Sequence, residues 1–252
     1  MTKNKHLWVR LTAILLLTLI VVPLRAQDST DRDAQAMAQR WLGWSGGPVI
    51  APPPLTYNLN DSSTFWVTKA GHASPSQITA RLAAITLHLN VWVEDGLDFK
   101  PNEMLNVAAQ IDATMVTIRM PANQGVIVTA PQSRDEFINA EQIPLPDVDG
   151  DGRYNILFAH DLNTTNIMSY NPVNSVPTQY VANGWTNQQE IFIINTSAAP
   201  SLPLTAPAYV QLVVRKFYSL LVEHNNPSQT PWLREAQSWY MWLQSQQKGI
   251  GA

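Results

Sequence analysis

The residues with the clearest chemical pattern lie in the stretch 213–236, VVRKFYSLLVEHNNPSQTPWLREA. Its first part has helical periodicity, so Arg215 and Ser219, four residues apart, should share one helix face, with Lys216 beside Arg215. Arg215 stays protonated in proteins and offers only hydrogen-bond donors, and a serine hydroxyl is a poor metal ligand. The pattern therefore indicates a positively charged helix face that repels metal cations.

The histidines of the chain do not supply a zinc site elsewhere. The zinc-protease pattern HExxH is absent, because no histidine is followed by Glu or paired with another at helical spacing (His6, His72, His88, His160 and His224). The inverted pattern HxxEH comes closest at 220–224, where Leu220 replaces the first ligand. A catalytic zinc needs three ligands, an open position for water and a nearby carboxylate base. We therefore expect neither zinc nor an organic cofactor.

The stretch 213–236 nevertheless resembles the active-site region of secreted zinc metalloproteases of the immune inhibitor A and hyicolysin type, which are gluzincin-like. In that family it reads HEFQHMI, then a loop with Asn and Pro, then WLNEG. The resemblance places Arg215 and Ser219 where the two zinc-binding histidines stand, Lys216 where the general base stands, and Glu235 at the third ligand. It implies a degenerate homologue that has lost zinc hydrolysis.

Four further segments look like their counterparts in the same family and in the same order, so the resemblance covers most of residues 62–245. They are 65–67, 90–96, 147–151 leading into 156–158, and 187–195. The resemblance implies an α/β (α+β) fold of the zincin-like type, a mixed β-sheet with packed helices that include a former active-site helix. It also implies a chain truncated at the C-terminus, without the part that completes one wall of the cleft in the enzymes.

The N-terminal residues have the pattern of a signal peptide. Lys3, Lys5 and Arg10 precede an apolar run at 11–24, which is too short to span a bilayer comfortably. Cleavage after Ala26 would give a secreted or extracytoplasmic protein, and retention of the leader as an anchor is the alternative. The sequence has no cysteine, so an exported domain of this kind has no disulfides and depends on its hydrophobic core.

The charge balance restricts the classes of partner. Removal of residues 1–26 leaves 12 basic and 19 acidic residues, a formal net charge of about -7. A nucleic-acid partner is not expected, since there is no basic patch to neutralise phosphates. Neither a polybasic segment nor a second long apolar run is present, so we expect no membrane partner after leader removal. A protein or peptide partner is compatible with this composition.

The remaining chain alternates strand and helix patterns. A short helix at 31–44 and a Gly/Pro-rich linker make up residues 27–54, and the metalloprotease-like domain comprises residues 55–252. Within that domain the patterns predict strands at 64–68, 78–87, 89–94, 154–159 and 190–195, an edge strand at 179–182, and helices at 101–118, 206–223 and 231–246. The helix at 206–223 should bury one apolar stripe and expose Arg215, Lys216 and Ser219.

A second motif concerns calcium. Asp147, Asp149 and Asp151 have the D-x-D-x-D-G spacing of a calcium loop, and Asn155 could add a side-chain oxygen. The twelfth position, where a bidentate acid is expected, is Phe158. The alternative is an Asp/Gly turn that leads into a strand.

Together these observations predict an exported, noncatalytic relative of metalloproteases, a pseudoprotease that acts as a binding or regulatory module. The alternative is a hydrolase or peptidase that uses an unrecognised site or is completed by a partner chain. Zinc content and casein cleavage of the mature protein would separate the two.

Overall fold

The computed structural model describes residues 38–39, 42–45, 56–116, 151, 153–171, 176, 178–225, 236 and 239. Their regular elements are β1 (Ser62–Val67), β2 (Ser76–Ile85), β3 (Leu89–Glu94), α1 (Pro101–Val116), β4 (Tyr154–Ala159), β5 (Met168–Ser169), β6 (Ile191–Asn195) and α2 (Pro207–Asn225). Two short 3-10 helices, Thr178–Tyr180 and Thr196–Ala198, lie on either side of β6 in the sequence.

The described strands form one mixed sheet in the order β1-β2-β3-β4-β6-β5. β3, β4 and β6 are mutually parallel, whereas β1 and β2 pair antiparallel at one side and β5 pairs antiparallel with β6 at the other. Every residue of β3, β4 and β6 is buried, which explains why their sequences are almost continuously apolar. The α/β (α+β) fold class, a mixed sheet with packed helices, is therefore confirmed.

The sheet has a hydrophobic core on each face. On one face, α1 and α2 cover alternate residues of β3, β4 and β6, with Met104 and Ile111 of α1 and Val213 and Phe217 of α2 fully buried. α1 begins at Pro101, which fits the first helical position, and its apolar residues recur at helical spacing. The second core lies on the other face, around the buried side chain of Trp92.

The sheet curls around this second core. Lys69, just beyond β1, forms an isolated antiparallel bridge with Leu162, just beyond β4. Nearby, the Asn187 side chain accepts a hydrogen bond from the Trp66 backbone N–H (2.6 Å) and donates one to the Trp66 carbonyl (3.2 Å). These contacts bring the carboxyl end of β1 next to loops that follow β4 and precede β6.

Several boundaries and elements differ from the sequence prediction. The edge strand predicted at 179–182 is wrong, since Thr178–Tyr180 is a 3-10 helix and Tyr180 packs its ring edge-on against Trp44. The edge strand is instead β5, which is too short to carry a periodic signal. Most of the helices predicted at 31–44 and 231–246 lies outside the described residues. Within the described part of the chain, no helix is long and apolar enough to cross a membrane.

A buried polar contact fixes α1 to the start of β3. Asp112 on α1 accepts a hydrogen bond from the His88 backbone N–H, and its carboxylate lies 2.5 Å from His88 Nδ1. Burial acts to raise the pKa of Asp112, but hydrogen bonds with the His88 and Thr86 side chains outweigh it, so the pKa lies below its ordinary value of 3.8. The folded state thus favours the ionised carboxylate.

We expect Asp112 to contribute stability at neutral pH that is lost as the solution becomes acidic. Because its pKa is lowered by folding, the contribution is complete above pH 3.8 and disappears as the pH falls through the folded-state pKa. Urea unfolding from neutral to acidic pH should therefore show a stability difference between the parent and Asp112→Asn that shrinks on acidification. A difference that does not change with pH would contradict this assignment.

Candidate functional site at the strand ends

Polar side chains collect at one edge of the sheet, beyond the carboxyl ends of the parallel strands. Glu94 is the last residue of β3, His160 follows β4 directly, and Ser197 lies two residues beyond β6. β1 runs in the same direction, which places Lys69 at this edge as well. In α/β sheets, ligands bind outside the carboxyl ends of parallel strands, so this edge is where a site is expected.

The two members of the Lys69–Glu94 ion pair also form hydrogen bonds with the backbone of His160. The Lys69 Nζ lies 2.5 Å from Glu94 Oε1 and also donates a hydrogen bond to the His160 carbonyl oxygen at 2.7 Å. The His160 backbone N–H donates to Glu94 Oε2 at 2.9 Å. Because both charged side chains are largely buried, each needs the other and the peptide groups that complete its hydrogen bonds.

The imidazole of His160 lies between this buried pair and solvent. Its Nδ1 is 2.9 Å from Glu94 Oε2, although the contact is poorly aligned for a hydrogen bond. Its Nε2 is 3.9 Å from Asp161 Oδ2, and the side chain remains 37% exposed. One side of the ring therefore lies against a buried carboxylate, and the ring is partly accessible to solvent.

Asp161 and Ser197 continue the polar cluster. The Ser197 hydroxyl donates to Asp161 Oδ1 at 2.9 Å and accepts from the Asp161 backbone N–H at 2.8 Å. Asp161 has a φ of 51°, a left-handed conformation that aspartate tolerates better than most residues. Asn195 caps the 3-10 helix by accepting a hydrogen bond from the Ser197 backbone N–H. This set of bonds fixes the Ser197 hydroxyl against Asp161.

A cleft of about 450 Å³ opens beside His160 and Ser197. One wall is the connection from β3 to α1, and the other is the connection from β6 to α2. Gly96, with a φ of 95°, makes the turn that leads from β3 into the first wall. Apolar residues of both walls line the cleft: Leu97, Phe99, Met104, Pro200, Leu202, Pro203 and Leu204. We call this space the strand-end cleft.

The chemistry available here is that of a polar site with one accessible imidazole. An accessible histidine next to a carboxylate can act as a general base or bind a polar group. The Ser197 hydroxyl, however, donates to Asp161 and not to His160, so the described contacts are not those of a serine nucleophile activated by histidine. Among the described residues no group of three or more His, Cys, Asp or Glu could hold a metal ion.

Three of the four positions singled out by the resemblance lie elsewhere, on α2. Arg215 and Ser219 are one helical turn apart, and Arg215, Lys216 and Ser219 are all half-buried. The Arg215 guanidinium carbon is 4.7 Å from the ring centroid of Trp239, which is a cation–π contact. Glu235 lies outside the described residues. α2 buries Val213, Val214 and Phe217, as the predicted apolar stripe requires.

Two of the four residues considered for calcium can be located. Asp151 accepts hydrogen bonds from the Asn90 side chain (2.7 Å) and from the Arg153 backbone N–H (2.7 Å). Asn155 is fully buried, and its Oδ1 accepts a hydrogen bond from the Trp92 indole at 2.9 Å. Asp147 and Asp149 lie outside the described residues. Both located residues thus have structural roles, and calcium binding stays a prediction.

Sequence reasoning missed the cluster at the strand ends. Its members come from four separate parts of the chain, so no spacing rule connects them. A weaker signal was available, because Glu94, His160 and Ser197 each end or closely follow one of the three most apolar strands. Parallel strands bring such residues together at one edge.

Comparison with known proteins adds no relative to this description. The sequence matches no protein-family model, and no curated protein matches it.

We expect the contributions of Lys69 and Glu94 to the free energy of unfolding to be coupled. Glu94→Gln should lower the free energy of unfolding by about 3 kcal/mol, because it leaves the Lys69 ammonium largely buried without its counter-charge. The double variant Lys69→Met/Glu94→Gln should lose less than the sum of the two single changes. Urea unfolding of all four proteins gives the coupling.

The exposed pair Arg81–Asp95 is a matched control, since its charged atoms are 3.7 Å apart and both side chains are about half exposed. Asp95→Asn should cost less than about 1 kcal/mol. If the losses of unfolding free energy caused by the Lys69 and Glu94 changes were additive, the two side chains would not act together in holding the His160 backbone.

The structural role of Asn155 gives a second test. Asn155→Ala should destabilise the protein by about 1–3 kcal/mol, because the Trp92 indole N–H would be left unpaired in the core. The loss should be equal with and without about 1 mM calcium if Asn155 is not a ligand. Thermal melts of the parent, Asn155→Ala and the exposed control Asn106→Ala measure this, and a loss that appears only with calcium would place Asn155 among the calcium ligands.

Proposed function

We propose that this chain is an exported, noncatalytic peptide-binding domain, a pseudoprotease, and that the strand-end cleft is its binding site. The observation that carries the proposal is the cleft itself, with apolar side chains on both walls and a polar end at His160 and Ser197. The Ser197 hydroxyl at this end donates to Asp161. Its volume of about 450 Å³ falls in the range of small-ligand sites and suits one or two peptide side chains. Export is supported by the leader pattern of residues 1–26.

The charges around the cleft favour a ligand with a basic group. Lys100 is paired with Glu103 at 2.9 Å and is highly exposed. Asp98 lines the cleft and is exposed, with no ion pair among the described residues, while Asp161 stands beside His160. The acids thus outnumber the available cations. A peptide that combines apolar side chains with lysine or arginine complements this surface.

Three side chains on α2 support the proposal that the protein performs no zinc-dependent hydrolysis. Arg215, Lys216 and Ser219 occupy the positions that the resemblance assigns to two ligands and the base, and two of these side chains are cationic. Stacking on Trp239 gives Arg215 a packing role in this surface. We also propose a zincin-like topology, supported by the positions of the resembling segments, which fall on β1, β3, β4, β6 and α2 in chain order.

One observation favours the alternative, a hydrolase with an unrecognised site. His160 is accessible and its Nδ1 lies 2.9 Å from the buried Glu94 carboxylate, an arrangement suited to a general base. The hydroxyl bonded to Asp161 does not complete a nucleophile. The binding proposal is therefore preferred, and the experiment below includes the hydrolytic outcome.

We expect the mature protein to bind a fluorescein-labelled hexapeptide of alternating leucine and lysine about tenfold more tightly than its leucine/glutamate or serine/lysine counterparts. Asp98→Asn should weaken this binding about two- to fivefold, as for an exposed ion pair. Leu204→Glu should abolish it, because the new charge lies in an apolar wall. Fluorescence anisotropy gives the affinities.

The matched control is Leu87→Glu, since Leu87 is 64% exposed and precedes β3 at the opposite end of that strand. Equal affinities of the Leu204→Glu and Leu87→Glu variants would overturn the assignment of the cleft. Cleavage of the peptide that is lost in His160→Gln would favour the hydrolase. Near one zinc per chain, with chelator-sensitive cleavage of casein, would end the noncatalytic interpretation.

A further inference from the structure

A second pocket, of about 400 Å³, shares no lining residue with the strand-end cleft. It lies where the end of β1, the loop after β4, the region of β5 and the loop 181–185 meet. Two half-buried indoles, Trp66 and Trp185, line it together with amide and hydroxyl side chains. Apolar residues complete the lining: Val67, Pro75, Leu162, Val181 and Ile193. None of the described residues that line this pocket carries a charge. We call it the indole pocket.

Both indoles stand on backbone that is held in place. The Asn187 side chain bonds both the N–H and the carbonyl of Trp66, as a neighbouring strand would. The Trp185 backbone N–H donates to Asn183 Oδ1 at 3.1 Å, and the adjacent Thr186 hydroxyl donates to the Val176 carbonyl at 2.6 Å. The backbone that carries these aromatic groups is thus ordered by folding, which lowers the entropy cost of binding a ligand there.

The amides of the indole pocket retain hydrogen-bonding capacity of both kinds. Asn163 uses Nδ2 to donate to the His72 carbonyl at 3.0 Å, which leaves Oδ1 to accept. Asn183 uses Oδ1 to accept from Trp185, which leaves Nδ2 to donate. Thr68 and Ser169 add hydroxyl groups to the lining. A ligand for this pocket should therefore present groups that both donate and accept.

We propose that the indole pocket binds a neutral saccharide. The C–H faces of a pyranose ring pack on indole faces, and its hydroxyls both donate and accept hydrogen bonds. A charged ligand would lose hydration without a counter-charge among the described lining residues. A purely apolar ligand would make no use of the amide and hydroxyl groups of the lining. An uncharged lining that combines two indoles and other apolar groups with amides and hydroxyls thus favours a sugar.

The test uses the mature full chain and isothermal titration calorimetry with cellotetraose, maltotetraose, mannotetraose, xylotetraose and N-acetylchitotetraose. At least one should bind, and Trp66→Ala and Trp185→Ala should each weaken that binding about tenfold. Asn183→Asp keeps the oxygen that accepts from Trp185 and removes the donor, so it should weaken binding severalfold without disturbing the exposed loop. Trp239→Ala, at an indole that is 43% exposed outside the pocket, should not change it.

Absence of heat with every oligosaccharide at about 10 mM would overturn the proposal. Binding that is unchanged in Trp66→Ala, Trp185→Ala and Asn183→Asp would overturn it as well, since the sugar would then lie elsewhere. The cleft variants Asp98→Asn and Leu204→Glu should bind the sugar like the parent, provided their melting shows that they are folded. Failure of peptide binding therefore leaves this proposal standing, and the two outcomes are distinguishable.

Discussion

The burial of three parallel strands on both faces is the constraint on which the structure depends. All residues of β3, β4 and β6 are buried, so the chain must cover both sides of the sheet. α1 and α2 cover one side. On the other side, β1 and β2 curl toward the neighbouring loops and cover the second core. Polar groups cannot be accommodated along these strands without partners, so reactive side chains concentrate where the strands end.

The Lys69–Glu94 pair links this constraint to the candidate site. It connects the segment just after β1 to the end of β3, and it forms hydrogen bonds with the His160 backbone at the end of β4. Burial makes the pair costly to break, so the position of the imidazole is tied to the stability of the fold. The cleft beside it is formed by connections that leave the same edge, which explains how a rigid sheet supports a ligand site made of loops.

The two proposed sites divide the surface by chemistry. The strand-end cleft combines apolar walls with excess acidic groups, which suits a basic, apolar peptide. The indole pocket is uncharged along its described lining and suits a neutral sugar. α2 has cations where the resemblance expects metal ligands and base, and Arg215 stacks on an indole. These features support the proposal that the domain serves recognition and not metal-dependent hydrolysis.

The sequence by itself determined the central strands, α1 and α2, because continuous apolar runs and helical periodicity depend on neighbours along the chain. It also indicated that the face bearing Arg215 would be cationic. Only the tertiary structure decided that Glu94, His160 and Ser197 meet and that Asn155 binds Trp92. Such contacts join residues far apart in sequence, and strand order and direction bring them together. The sequence analysis also missed β5. A strand of two residues is too short to show a hydrophobic period, and only its pairing with β6 defines it.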